Sequence, residues 1–304
     1  MKKCTIIYNP NSGKNIHNNF INEFENLLIK KEYEPKIIQT EYKGHAQEII
    51  RNLDKTDLVI SVGGDGTFNE VITGNFERDE RLLLAHIPVG TTNDVGAMFG
   101  YGRNPISNLK LLLDGEIKGI DICLINSHPF VYVAGFGKFM TVPYETPRDL
   151  KKKIGYLAYL FEGFKSFRKK THLYDLTYKC NGETYRGLYS FMLISNANRI
   201  AGINNFYRDV KLNDDQFEVL FCNLTTQKDI IKSLYYLKTS DITKVPGFYF
   251  HKTNELDIVF AEPPRKAWCI DGEALPDNTT NFNIRVMKNV KIMIPSKNIK
   301  KLFE

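Results

Sequence analysis

Four short clusters in this 304-residue chain combine residue types at spacings suited to chemistry. The first is Gly63-Gly64-Asp65-Gly66-Thr67-Phe68-Asn69-Glu70, which follows the apolar run Leu58–Val62 and opens a helical pattern. Glycines lack a Cβ, so their main-chain N–H groups can approach a phosphate. A helix N-terminus adds a favourable partial charge for anions. Asp65 does not attract phosphate itself. In such a loop it holds a bridging metal, binds a ribose or another donor, or caps the helix. The second cluster, Pro88-Val89-Gly90-Thr91-Thr92-Asn93-Asp94, is rich in N-cap types and reads as a capped turn or a nucleotide loop. The third, Asn9-Pro10-Asn11-Ser12-Gly13-Lys14, ends a short apolar strand and lacks Walker A spacing. The fourth, Ile270-Asp271-Gly272-Glu273, sets two carboxylates around a glycine. That pattern suits a general base, and equally an ordinary turn between strands.

Positioning these clusters is the work of two different patterns. Strand signals at 4–8, 36–40, 58–62 and 82–87 alternate with helical spacing at 16–31 and 45–53. The alternation predicts a parallel sheet covered by helices. Ligands of such sheets sit beyond the carboxyl ends of the strands, so the loops after Tyr8, Val62 and Ile87 are expected to converge. After about Asp121 strand signals dominate: 130–134, 173–180, 185–195, 216–222, 248–251, 256–260, 266–270 and 281–286, with helices near 153–170 and 226–239. The expected fold is an α/β N-terminal domain, residues 1–122 with 287–304, and a β-rich second domain, residues 123–286.

Composition narrows the function classes. Hydrophobic residues at 42% and charged residues at 25% exclude a collagen, a coiled-coil rod and a fully disordered chain. No apolar run approaches the roughly eighteen residues that span a bilayer, and the N-terminal run is too short for a secretory signal. Five scattered cysteines without a CxxC pair read as reduced thiols of a cytosolic protein. The net charge of +6 favours an anionic partner. Lysine outnumbers arginine, which argues against sequence-specific DNA reading. Residues 148–170 carry basic clusters around Tyr156, Leu157, Tyr159, Leu160, Phe161, Phe164 and Phe167, a pattern for an interfacial helix on anionic lipid or for a core-packed helix with basic ends. HExxH and GxSxG are absent, and the six histidines show no ligand spacing.

Taken together and in order, NPxSG at 9–13, GGDGTxNE at 63–70, PxGTxND at 88–94 and DGE at 271–273 resemble the diacylglycerol kinase catalytic family. This group includes soluble bacterial diacylglycerol kinases and related bacterial lipid kinases, and is similar to sphingosine and ceramide kinases. Thr40 followed by Gly44-His45-Ala46, and Asp121 after Gly119-Ile120, also look like family segments. The resemblance implies an NAD-kinase-like α/β domain and a β-sandwich domain, with the active site in the interdomain cleft. By motif, ATP would meet Asn9, Pro10, Asn11, Ser12, Gly13, Thr40, Gly64, Asp65, Gly66, Thr67, Phe68, Asn69, Glu70 and Thr91. Asp65 and Asp121 would surround the catalytic Mg²⁺, and Asp271 or Glu273 would take the proton of the lipid hydroxyl. A second, structural Mg²⁺ would rest on Asp214 and the carbonyls of Lys211 and Gln216. There Val210 replaces the usual Ala and Asp215 the usual Gly.

The implied reaction is ATP-dependent phosphorylation of diacylglycerol to phosphatidic acid. The alternatives are another lipid (a sphingoid base, ceramide or phosphatidylglycerol), an NAD kinase, or a non-catalytic lipid or nucleotide sensor. PxGTxND stands where NAD kinases carry a Gly- and Asn-rich segment. A sensor would require a degenerate site, yet the acidic residues are intact. The expected partners are ATP, a lipid and an anionic membrane surface, without nucleic acid. A homodimer and a cytoplasmic location, transiently at the inner face of the cell membrane, follow from the same resemblance.

Overall fold

The computed structural model describes residues 1–13, 19–137, 172–200, 203–204, 206–207, 209–226, 229, 245–264, 267–275, 279–296 and 299–303. The helix expected near 153–170, with its basic and aromatic residues, and most of the one near 226–239 lie outside these. The chain divides into two compact units, Met1–Ile120 with Lys288–Glu304, and Asp121–Met287.

The first unit begins with alternating elements: β1 (Lys2–Tyr8), α1 (Asn19–Lys30), β2 (Tyr33–Gln39), α2 (His45–Arg51), β3 (Leu58–Gly63), α3 (Asp65–Phe76), β4 (Leu84–Pro88), α4 (Asp94–Met98) and α5 (Pro105–Leu113). The strands are parallel in the order β2-β1-β3-β4. Every residue of β3 and of β4 is buried. That burial on both faces explains their largely apolar runs, interrupted only by Ser61 in β3 and His86 in β4. Helices α1, α2 and α3 supply Phe24, Leu28, Ile50, Phe68 and Val71, all fully buried. Because β2 lies on one side of β1 and β3 on the other, the chain leaves β1 and β3 in opposite directions. Their carboxyl ends therefore flank a topological switch point, where such sheets open a crevice.

Two of the longer elements carry no sequence signal. They are α5, which starts at Asn104 with the cap bond Ser107 N–H to Asn104 Oδ1, and β5 (Glu116–Ile125), which runs from the first unit into the second. The second unit continues with β6 (His128–Phe130), β7 (Val133–Gly137), β8 (Tyr174–Cys180), β9 (Glu183–Tyr189), β10 (Phe191–Ser195), β11 (Arg199–Ile200) and β12 (Ile203–Asn204). Then follow β13 (Phe217–Cys222), β14 (Phe248–Thr253), β15 (Glu255–Phe260), β16 (Cys269–Ile270), β17 (Glu273–Ala274) and β18 (Asn281–Ile294).

One antiparallel sheet has the order β14-β13-β10-β7-β16-β17, and β9-β8-β15 continue onto the first half of β18. A shared core of Phe136, Met192 and Trp268 from one sheet side with Tyr178, Ile258 and Phe282 from the other makes this unit a sandwich. The other face of β13 is covered too, by Leu193, Tyr207 and Val210 around Leu220. Burial on both faces accounts for the apolar run Val219–Cys222, and it buries Glu218 as well. The two strand signals at 281–286 and 290–294 are one strand, in which Asn289 takes a left-handed φ of 58°. All five cysteines are buried thiols.

His86 on β4 sits in the core of the first unit, stacked on Phe68 with ring centroids 4.7 Å apart. Burial pushes its imidazole down from 6.5 to about 3, with the Ser61 backbone offsetting only part of the effect. The folded ring is therefore neutral, while the unfolded ring protonates below 6.5. The resulting stability is complete above that pH and falls as pH drops towards about 3. Between pH 7 and pH 5 this residue removes about 2 kcal/mol. Urea unfolding at the two pH values should show that loss in the parent and not in His86→Leu. Equal pH dependence in both would contradict it.

Candidate active site

The loops that follow β1, β3 and β4 meet at the carboxyl end of the parallel sheet. Asn9 Nδ2 donates to Thr67 Oγ1 at 2.9 Å, and Gly64 N–H donates to Ser12 Oγ at 3.3 Å. Val89 N–H donates to the Gly63 carbonyl at 2.8 Å. Inside the first loop, Asn11 N–H donates to Asn9 Oδ1 at 2.9 Å and turns the chain. The backbones approach so closely that a Cβ on Gly90 would lie 2.6 Å from Gly64 Cα, and one on Gly13 would lie 2.0 Å from the Val89 carbonyl oxygen. Only glycine fits there, and the result is a floor of bare main chain.

The two acids of the first motif have structural partners. Asp65 Oδ2 accepts from Asp94 N–H at 2.9 Å and Oδ1 from Val95 N–H at 3.1 Å. Asp65 thus caps α4 from a distance, whereas α4's own cap residue, Asn93, makes no side-chain cap bond. Glu70 does the same for α2. It accepts from Gly44 N–H at 2.9 Å and Ala46 N–H at 3.2 Å, while Gly44 caps nothing. Each acid satisfies two orphan donors at a helix start. Glu70 thereby ties the Thr40–Ala46 segment to the glycine loop, and Thr40 N–H is fixed on the Tyr8 carbonyl at 2.8 Å.

The other predicted nucleotide residues separate by exposure. Pro10, Asn11 and Thr91 are exposed, Ser12, Gly13, Gly66 and Asn69 are half-buried, and Thr67 is buried. Phe68 is fully buried against His86, so its side chain belongs to the core and not to a ligand surface.

In the second unit, Asp271 and Gly272 form the two-residue turn between β16 and β17, both with positive φ, 46° and 90°. That is the backbone of a type I′ hairpin turn. The carboxylate of Asp271 is buried and accepts three main-chain bonds. Val131 N–H reaches Oδ2 at 2.6 Å, and Tyr132 and Val133 N–H reach Oδ1 at 3.1 and 3.0 Å. These bonds also explain a break in the fold. The sequence predicts one strand over 130–134, but the chain divides there into β6 and β7, because those donors turn to the carboxylate. Glu273, one turn residue further on, is exposed. The pair is thus unequal: Asp271 clamps the hairpin and Glu273 faces outward.

Asp121 is buried, and Asp215 N–H donates to its Oδ2 at 2.7 Å. Its carbonyl accepts from Asn196 Nδ2 at 2.8 Å. Asp215 has a φ of 61°, the left-handed conformation that a glycine takes at no cost and that aspartate tolerates. Asp214 Oδ1 accepts from Gln216 N–H at 3.3 Å, and Lys211 lies earlier in the same turn. Asp214 Oδ2 pairs with Lys252 Nζ at 2.5 Å, and Glu218 Oε1 is 3.8 Å from the same ammonium. Burial pushes the Glu218 carboxyl up to about 8, against the pull of Lys252. Asn196, Glu218 and Lys252 were not singled out in the sequence. Lys252 falls one residue beyond the predicted strand 248–251, in β14, so its inward direction was hidden.

Mg²⁺ prefers carboxylate oxygen. As carboxylates, Asp65 of the first unit and Asp121 of the second each fit that preference. Asp214, which holds an ammonium, does not.

The model of the diacylglycerol kinase catalytic domain matches residues 3–125. The chain is 30% identical over 304 residues to a diacylglycerol kinase of Staphylococcus saprophyticus, covering 97% of this chain and 96% of that protein. It is 31% identical over 262 residues to a diacylglycerol kinase of Staphylococcus aureus, covering 84% and 82%. A crystal structure of a diacylglycerol kinase from Bacillus anthracis superimposes with a TM-score of 0.79 at 23% identity, over 96% of this chain and 97% of that one.

Asp271→Ala strands three main-chain donors and should cost at least about 3 kcal/mol in urea unfolding. Glu273→Gln, at an exposed position, should stay within about 0.5 kcal/mol of the parent. A neutral Asp271→Ala would overturn the clamp.

Proposed function

The chain belongs to the diacylglycerol kinase family and is a lipid kinase, and from that premise we propose that it transfers the γ-phosphoryl group of ATP to the free hydroxyl of diacylglycerol, giving phosphatidic acid. The observation that carries the nucleotide half is the bare main-chain floor where Gly13, Gly64 and Gly90 bring three loops together. Phosphoryl transfer asks chiefly for positioning and charge neutralisation. The floor offers N–H groups to phosphate oxygens, and Asn9, Ser12, Thr67 and Thr91 supply polar side chains around it. Thr40 and Glu70 hold the neighbouring segment in place. Asp65 and Asp121 are the residues that would hold Mg²⁺, which when bound neutralises phosphate charge.

Glu273 is the base in this reading. Its carboxylate takes the proton of the lipid hydroxyl as that oxygen attacks the γ-phosphorus and ADP leaves. Asp271 is a positioning residue, because its oxygens accept from Val131, Tyr132 and Val133. Since diacylglycerol resides in a bilayer, the reaction takes place at a membrane surface, and the net charge of +6 favours an anionic one. Among the described residues no helix is long and apolar enough to cross a membrane. Contact with lipid is therefore proposed as peripheral.

The test presents the purified chain with Mg²⁺ and γ-labelled ATP to diacylglycerol in mixed micelles, beside sphingosine, ceramide, phosphatidylglycerol and NAD. Labelled phosphatidic acid is the expected product. A different labelled lipid would keep the kinase and replace the substrate, and labelled NADP would overturn the lipid assignment. Glu273→Gln should lower kcat about a hundredfold or more with nucleotide affinity unchanged. Full activity in that variant would place the base elsewhere.

A further inference from the structure

We infer that the ammonium of Lys252 takes the place of a divalent cation at the Asp214 turn, so that this chain supplies its own cation where its family resemblance implies a structural magnesium. Lys252 Nζ lies 2.5 Å from Asp214 Oδ2 and 3.8 Å from Glu218 Oε1. Both carboxylates are withdrawn from solvent, with side-chain exposures of 9% and 3%. Glu218, so buried, favours its neutral form, and the ionised Asp214 carboxylate is the one that needs a positive charge beside it. Lys252 delivers it from a fixed position, directly opposite Glu218 in the β13–β14 pairing.

The geometry is not that of a metal site. Mg²⁺ demands near-octahedral oxygen ligands at about 2.0–2.1 Å, and Ca²⁺ six to eight oxygens. Here Asp214 Oδ2 is engaged by an ammonium and Oδ1 by the Gln216 N–H. A divalent ion on the remaining lone pairs would stand beside the ammonium and be repelled by it.

Protein contacts hold the turn. Asp121 N–H donates to the Leu212 carbonyl at 2.6 Å, Asp215 N–H donates to Asp121 Oδ2 at 2.7 Å, and Val210 and Leu212 are buried. Val210 fills the outer core with Leu193 and Leu220, which gives a packing reason for a side chain larger than alanine. The consequence is functional. The backbone that presents Asp121 is held without an external ion, so its placement does not vary with divalent concentration.

Thermal unfolding of the full chain, without nucleotide, in EDTA and then in millimolar MgCl₂ or CaCl₂, tests this independently of the substrate. The parent should melt at the same temperature, within about 1 °C, in all three. Lys252→Met should melt about 5–10 °C lower in EDTA, as expected for a buried carboxylate deprived of its partner. Lys252→Arg should recover most of the loss. A parent that gains several degrees from Mg²⁺ or Ca²⁺, with the gain abolished in Asp214→Asn, would overturn the inference. So would a Lys252→Met variant that melts like the parent. A gain that survives Asp214→Asn arises elsewhere and leaves Asp214 free of metal, as inferred. Should Lys252→Met not fold, the comparison of the parent with Asp214→Asn still decides.

Discussion

Gly64 and Gly90 bring two loops into a contact that any side chain would break, since a Cβ on Gly90 would stand 2.6 Å from Gly64 Cα. The rest of the loop cluster depends on that approach. It lets Val89 N–H reach the Gly63 carbonyl, and it leaves the carboxyl ends of β1, β3 and β4 lined by main chain. Parallel sheets open their ligand crevices at such ends because adjoining loops leave in opposite directions. The glycines line an opening dictated by topology with bare main chain.

Charge in this molecule is handled by local pairing. Asp65 and Glu70 lie in one motif and each caps a helix that does not contain it, α4 and α2 respectively. Asp271 lies in a hairpin turn and holds the strand break between β6 and β7. Asp214 is met by Lys252. In each case a carboxylate has a structural task set by buried or half-buried donors. Catalytic placement rests on these tasks, because a base or a metal ligand works only where its backbone does not drift. Glu273, next to the clamped Asp271 turn, is exposed.

Much of this was legible in the sequence. The alternation of apolar runs and helical spacing announces the parallel sheet, and the position of each motif just after a strand announces the meeting of the three loops. The antiparallel, β-rich second unit follows from strand signals that dominate after Asp121, interrupted by two helical stretches. Other features were not legible, for reasons that are physical. The break after Phe130 comes from main-chain donors turning to Asp271, and the separation of these residues along the chain hides it. Phe68 sits within a ligand-binding motif, yet the helix directs it onto His86 in the core. β5 mixes polar and apolar residues because its burial changes along its length. Lys252 looks like any strand-end lysine until the pairing with β13 sets it opposite Glu218.

The nucleotide floor is the claim on which the functional account stands, and Gly90→Ala addresses it most directly. Titration calorimetry with Mg²⁺ and a non-hydrolysable ATP analogue should show binding weakened at least about tenfold, the scale of one lost hydrogen bond to a charged group. The protein should stay folded with a somewhat lower melting temperature, because the added Cβ displaces the Gly64 loop and leaves the core intact. Unchanged affinity in a folded Gly90→Ala protein would contradict the account and move the nucleotide away from these loops.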